Sequence, residues 1–544
     1  QQTQDAAGDV AEGQDAGRTG DATPPEASGG VARSAGILAF GNVASRILGL
    51  LRETIISYYF GSAGELSAFR LAARVPTMIY DMLVGGLLSA ALVPVFSDYA
   101  RTERRRELWE VASAVLTAVG AGMAVLFLAL MGLAPYVARL IGGGFDAHLI
   151  AVITNALRIM APAVFFFGLS GVLTGILYAL KSFSYAALGA AVFNLGVVIC
   201  APLLTPWLGI YSLPVGIAVG SLGQLCLLLP GLRAVGARLH LAWGHPAVRQ
   251  ILRLYLPVSI SLLVGQFQVM VDANLTSRTG TQSAAWMQYA TTLVQFPLGL
   301  VPVAVSLAAL PTLSRHAAAG EWLAYRSTLG RGLRLVLVLL IPAIVALFVM
   351  AEPIIRLLFE HGSFVAADTL WTARALRLYL LGLGFAGVDF LFNYAFDARQ
   401  DTRTPAIVGV VSVVVYLVVA LSLLRPLGFL GLVLADSTKH MSHAIIMLIL
   451  LLRAIGALRG QGIMSTGFKA LLAALAMGLA LSVLRGWLGG LAGSGLVGKV
   501  IVVGGAAGSG IAIYGALLWL LGVEEVKIVS RMVLRRLIPP TKGL

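Results

Sequence analysis

Residues 68–97 read "AFRLAARVPTMIYDMLVGGLLSAALVPVFS", and residues 285–314 read "AWMQYATTLVQFPLGLVPVAVSLAALPTLS". A shift of 217 lays one on the other without a gap. Ala68/Ala285, Ala73/Ala290, Leu83/Leu300, Val84/Val301, Ala91/Ala308, Pro94/Pro311 and Ser97/Ser314 then coincide. A shift of 219 pairs "ALR" at 156–158 with "ALR" at 375–377, then Phe166 with Phe385 and Gly168 with Gly387. Two collinear blocks at nearly one shift mark an internal repeat. Each block is also long and apolar enough to cross a bilayer, which needs about 20 residues at 1.5 Å per residue.

The whole chain has that character. Mean hydropathy is +0.89. Apolar residues make up 58% and charged residues 12%, against about 25% charged in an average soluble domain. The expected class is an all-α polytopic membrane protein; the short alternating segments of a β-barrel are absent. Apolar runs and break signals give about fourteen spans between residues 33 and 522. An even number of spans separates the two copies, so they share one orientation. The expectation is two parallel-repeat six-helix lobes facing one another, with two further helices, which is a transporter architecture.

The expected boundaries are a disordered acidic tail at 1–30, a first lobe at 31–235 and a second lobe at 236–456. The last two spans fall at 457–522 and an amphipathic tail at 523–544. Residues 1–30 are polar, with no basic start or apolar run, and so do not read as a signal peptide. In the C-terminal tail, Val526, Ile528, Val529, Met532, Val533 and Leu537 alternate with basic residues, as in an interfacial helix.

The net charge is +14, but the basic residues cluster in short links rather than in a nucleic-acid patch. Counted with their flanks, the links at 98–107, 232–247, 315–325 and 454–465 and the C-terminal tail carry far more Lys and Arg than the links on the other side. The positive-inside rule puts these links and both termini in the cytoplasm. Cys200 and Cys226 lie in apolar runs and read as inert thiols.

Charge inside the spans is the functional signal, because a charge at the bilayer centre costs at least ~2.5 kcal/mol. Arg46 and Arg52 are six positions apart, about 9 Å of rise and roughly 120° of rotation. Arg70, Arg74 and Asp81 lie within about 60° of one another on the next span. Snorkelling to the headgroups fits Arg70. Arg46, Arg52 and Arg74 have apolar residues on both sides and point to a wet cavity that receives an anion. Guanidinium forks match phosphate oxygens in pairs, so a phosphate or pyrophosphate is the expected ligand.

The second lobe has Asp272, Asp389, Asn393 and Asp397. Asn393 and Asp397 share a helix face and offer oxygen to a hard cation, or Asp397 simply ends its span beside Arg399. Asp436, Lys439, His440 and His443 read either as mutual packing or as a proton relay. "GLGFAG" at 382–387 and "GSGLVGKV" near 493–500 mimic nucleotide loops without the strand or the hydroxyl such loops need. No nucleophile–base pair appears, so the chain is not expected to be an enzyme.

"SRILGLLRE" (45–53), "RVPTMIYDMLVGGLLSAALVPVF" (74–96), "LFEHGSF" (358–364) and "ARQDTRTP" (398–405) resemble the MurJ/MviN lipid II flippases of the multidrug/oligosaccharidyl-lipid/polysaccharide exporter superfamily. The resemblance implies outward transfer of an undecaprenyl-pyrophosphate-linked peptidoglycan precursor across the bacterial cytoplasmic membrane. It implies substrate contacts at Arg46, Arg52 and Arg74; Arg70 and Asp81 join them as candidates because they share the helix face of Arg74. It also implies a sodium site at Asp272, Asn393 and Asp397, although Val413 stands where that site often has Thr. Sodium is thus the one ion expected and no other cofactor is. The expected partners are a polyprenyl-pyrophosphate glycolipid, membrane lipids and cell-wall synthesis proteins, with no nucleic acid.

Tyr80, Thr292, Gly85, Gln295 and Ser67 occupy positions where the family usually carries charge. That departure leaves two alternatives beside the lipid II flippase: a carrier of another polyprenyl-linked glycan, or a transport-dead scaffold for cell-wall assembly. A drug exporter of the same superfamily fits the arginines poorly.

Overall fold

The computed structural model describes residues 25–100, 105–234, 238–492 and 495–525. Among them there are helices and no strands. The first lobe begins with α1 (Pro25–Phe60) and α2 (Gly64–Tyr80), which continues through a π-helical stretch (Asp81–Leu92) into α3 (Val93–Tyr99). It is completed by α4 (Arg105–Ile141), α5 (Ala147–Ala179), α6 (Ser184–Leu208) and α7 (Ser212–Ala234). The second lobe holds α8 (Pro246–Ser277), α9 (Ser283–Ala318), α10 (Trp322–Val349), the short α11 (Ala351–Leu358), α12 (Ala366–Ala398), α13 (Arg403–Leu427) and α14 (Phe429–Ile455). The chain then adds α15 (Ile463–Ala492) and α16 (Leu496–Leu520).

With α2 to α3 counted as one passage and α11 as a connector, the described residues make the fourteen passages read from the sequence. Among the described residues, ten stretches are long and apolar enough to cross a membrane, one of them running through α6 and α7. α1, the α2–α3 passage and α8 carry Arg46, Arg52, Arg70, Arg74, Asp81 and Asp272.

The repeat is written in the turns as well as the helices. At an offset of 219, α5 falls on α12 and α6 on α13 with equal lengths. Lys181 and Gln400, both at φ 58°, are the non-glycine residues with positive φ among those described, and they too are 219 apart. A left-handed conformation is costly for a side chain. Its recurrence at equivalent corners shows one backbone plan used twice.

Some boundaries move. α1 begins at Pro25, inside the tail assigned to 1–30. Residues 1–24, the dense part of the 101–107 link and most of the 523–544 tail lie outside the described residues. Ala247 and Ile251 of α8 bury with Leu83, Leu108 and Trp109 of the first lobe. The first turns of α8 therefore pack across the boundary placed at 236.

Apolar packing shows where the lobes join. One core contains Ile56, Leu66 and Phe69 of the first lobe together with Tyr289, Phe359, Phe364 and Tyr416 of the second. At the opposite end each lobe has its own core, the first with the start of α8. The joined end is that of the links 61–63, 142–146, 278–282 and 359–365. There Ser363 N donates to Tyr58 O at 2.9 Å, and Tyr289 Oη donates to Gly61 O at 2.7 Å. Ser62 Oγ donates to Asp368 Oδ1 at 2.5 Å, and Asn274 Nδ2 to Leu140 O at 2.6 Å. Along α2, Leu66 to Ala72 are buried, while Thr77 and Asp81, further from this end, are exposed. The interlobe space is closed at one end and widens toward the other.

Gly61 sits at φ +54°, where a Cβ would meet the Ser363 carbonyl. Gly61→Ala therefore costs both left-handed strain and this approach. It is expected to lower the melting temperature and to raise labelling of a cysteine placed at the buried Ser67. Unchanged labelling would show that Gly61 does not hold the lobes together.

Candidate functional site

Between the lobes lies a cavity of 440 Å³. α1 contributes Ser45, Arg46 and Arg52, and α2 with its π-helical extension contributes Thr77, Tyr80 and Asp81. Phe167, Phe193, Asn194 and Gln224 complete the first-lobe wall, and Gln288, Thr292, Gln295 and Phe296 of α9 face them. Arg46 and Arg52 thus meet in one cavity, as their helical spacing suggested, and Asp81 of the next passage lines it with them.

Arg46 crosses the cavity. Its Nη1 donates to the Gln295 carbonyl of α9 at 2.7 Å, and its Nε has no partner. Its guanidinium lies in the space that a Cβ at Gly299 would fill, so that glycine gives it room. A guanidinium resting on one backbone carbonyl retains donors for an incoming anion.

Arg52 is held from two sides. Its Nη1 donates to Asn194 Oδ1 at 2.9 Å. Its Nη2 and Nε donate to Glu53 Oε1 at 2.8 and 3.2 Å. Glu53 is the residue the sequence reading left unweighed. Its side chain is 1% exposed, and its second oxygen accepts Arg70 Nη2 at 2.6 Å. Arg70 also lies over the Tyr289 ring, 4.8 Å from its centroid. The signal was visible as "RE" within an apolar run, since a buried carboxylate needs cations around it.

Two assignments to the substrate site are corrected. Arg70 neither lines the cavity nor reaches toward headgroups; Glu53 and Tyr289 enclose it. Arg74 faces a separate chamber of 310 Å³. There its Nη1 donates to Asp272 Oδ2 at 2.5 Å. Arg70 and Arg74 share a helical face with Asp81, as expected. The neighbouring helices nevertheless divide that face by depth.

The oxygen site expected for sodium is divided as well. Both oxygens of Asp272 are engaged, one by Arg74 and the other by Tyr416 Oη at 2.5 Å. Asn393 lines a different cavity of 560 Å³ with Val413. It turns its amide donor to Asp389, 3.1 Å to Oδ2. Asp397 is exposed at the end of α12 and lines neither space. This donor set does not fit a sodium ion. Among the described residues no cluster of three or more His, Cys, Asp or Glu suits a metal.

The polar cluster on α14 is mutually satisfied. Lys439 Nζ donates to Asp436 Oδ1 at 2.7 Å, and His443 Nδ1 lies 2.8 Å from Asp389 Oδ1.

The family model described as "Lipid II flippase MurJ" matches residues 56–496. Arg46, Arg52 and Glu53 precede that stretch. The lipid II flippase MurJ of Burkholderia cenocepacia is 30% identical over 378 residues, covering 67% of this chain and 73% of its own. The probable lipid II flippase MurJ of Vibrio cholerae is 28% identical over 498 residues, covering 88% and 94%. A solved structure of lipid II flippase MurJ in an inward closed conformation is similar in fold, with a TM-score of 0.74 at 24% identity, over 92% of this chain and 99% of that one. An inward-facing multidrug resistance MATE family transporter is similar with a TM-score of 0.67 at 15% identity, over 76% and 95%.

The two classes of arginine separate by stability. Arg70→Ala removes a partner from a buried carboxylate, a change that costs about 3–5 kcal/mol where no other cation remains. With Arg52 still in place, the low end of that range is expected. Arg46→Ala removes a half-wet side chain and is expected to shift stability by less than about 1 kcal/mol. Thermal unfolding in detergent checks both. Equal losses would show that Arg46 is structural.

Proposed function

Because the chain belongs to the lipid II flippase MurJ family, we propose that it carries an undecaprenyl-pyrophosphate-linked peptidoglycan precursor across the bacterial inner membrane by alternating access of its two lobes. The family is one of transporters rather than enzymes. The observation that carries the reading is Arg46 reaching across the interlobe cavity to the Gln295 carbonyl of α9, with Arg52 beside it.

The chemistry follows from where charge is wet. A pyrophosphate entering the cavity takes the Arg46 donors from the Gln295 carbonyl, exchanging a neutral acceptor for an anionic one. Charge-assisted hydrogen bonds are roughly twice as strong as neutral ones. Arg52 offers less, because Glu53 already shares its charge. Asp81 offsets part of what remains, which weakens capture and eases release. The polar head crosses in this chamber while the polyprenyl chain stays in lipid, so no bare anion meets hydrocarbon.

Lys and Arg placement puts the widening end and both termini in the cytoplasm. The closed end then faces outward, and the loading state is inward-facing. Opening outward breaks the Ser62–Asp368 and Arg74–Asp272 contacts and the two hydrogen bonds to the Tyr58 and Gly61 carbonyls. The membrane potential, worth ~2.3 kcal/mol per charge per 100 mV, is the driver. No step runs through a metal, since the donor set does not fit sodium.

Reconstituted protein is expected to translocate labelled lipid II, with no requirement for a sodium gradient. Arg46→Ala and Arg52→Ala are each expected to lower the rate at least tenfold, the loss of one hydrogen-bonded charge contact of about 1.5–3 kcal/mol. Wild-type rescue of a flippase-depleted bacterium, with failure of Arg46→Ala, is the cellular counterpart. Full rescue by Arg46→Ala would refute the pyrophosphate role.

A further inference from the structure

Resting on that flippase reading, we infer that α9 reads the sugar of the substrate headgroup through a neutral carboxamide face, while α1 takes the pyrophosphate. The two walls of the 440 Å³ cavity differ in kind. α1 presents two guanidinium groups. α9 presents Gln288, Thr292 and Gln295, at i, i+4 and i+7 and therefore on one helix face, and no cation among the described lining residues.

The amides of Gln288 and Gln295 are free. Among the described residues neither side chain has a hydrogen-bond partner. The Asn194 side chain, by contrast, is engaged by Arg52, Ser45 and the Ala190 carbonyl. The carbonyl that Arg46 touches is the backbone of Gln295, so its side chain remains available.

A free carboxamide offers an acceptor and two donors side by side. That is the complement of an acetamido group, which offers one carbonyl and one N–H, and of neighbouring sugar hydroxyls. It is a poor match for phosphate or for carboxylates, which the arginines satisfy better and which Asp81 repels. The remaining wall suits the apolar face of a sugar ring. Tyr80 and Phe167 have centroids 4.7 Å apart, and Phe167 and Phe193 are 5.4 Å apart.

Direction along the path follows from Gln288. It borders both the arginine cavity and the Arg74–Asp272 chamber. It lies nearer the closed end than Gln295, because α9 starts there. The sugar therefore leads and the pyrophosphate trails. A site whose polar groups expect hydrogen bonds discriminates against a ligand that lacks them, because those groups are left unpaired on binding.

The test compares two lipids on the purified full chain: lipid II, and undecaprenyl pyrophosphate with no sugar. Gln288→Ala and Gln295→Ala are each expected to weaken lipid II about tenfold, while undecaprenyl pyrophosphate stays within twofold. Arg46→Ala is expected to weaken both lipids. Thr292→Arg, which adds a cation to the neutral wall, is expected to raise affinity for the bare pyrophosphate lipid and narrow the ratio between the two. Melting temperatures report whether each variant folds. Equal losses on both lipids, or no loss on lipid II, would overturn the sugar-reading face and leave the flippase reading standing. Wild type binding neither lipid would overturn the flippase reading, and this inference with it.

Discussion

Glu53 carries the electrostatics of the first lobe. It is a carboxylate with no exposure to water, and it is tolerable only because Arg52 and Arg70 both donate to it. That one group sorts the neighbouring arginines. Arg70 is consumed by the pairing and closed in by Tyr289. Arg52 is half consumed and faces the cavity with what is left. Arg46, beyond the reach of Glu53, leans on a backbone carbonyl. A row of arginines at increasing distance from one buried anion is therefore a gradient of availability. It runs from structural at the closed end to ligand-ready toward the open one.

The internal repeat explains how one backbone plan yields a charged wall and a neutral wall. The offset of 217 sets Arg74 opposite Thr291, and both line the same interlobe chamber. The copies keep length, corners and small-residue contacts, which packing requires. They differ at the positions that face the interlobe space, where packing imposes nothing. A substrate with an anionic part and a neutral polar part fits such a pair better than it would fit two identical lobes.

The helices, the repeat and the cavity of Arg46, Arg52 and Asp81 were legible because they rest on periodicity, which a sequence carries. What was not legible was depth and partner. Arg70, Arg74 and Asp81 share a face, yet each meets a different neighbour, because the closing end advances across the lower turns of α2. Asp272 lies on the same lobe as Asn393 and Asp397. Nothing in spacing says that Arg74 and Tyr416 will take both of its oxygens first. Glu53 was in plain view, but its weight came only from the second arginine arriving from another helix.

Burial decides which ion pair yields when the lobes move. In Arg70–Glu53 the side chains are 8% and 1% exposed, and both belong to the first lobe. In Arg74–Asp272 they are 25% and 18% exposed, and the pair crosses between lobes. Separating charges that water already reaches costs far less than stripping a partner from a dry carboxylate. In the proposed cycle the crossing pair therefore opens and the Glu53 cluster travels intact with its lobe. The arginines of the cavity then keep their geometry on both sides of the membrane. A carrier needs this if the site that captures a pyrophosphate on one side is to present it unchanged on the other.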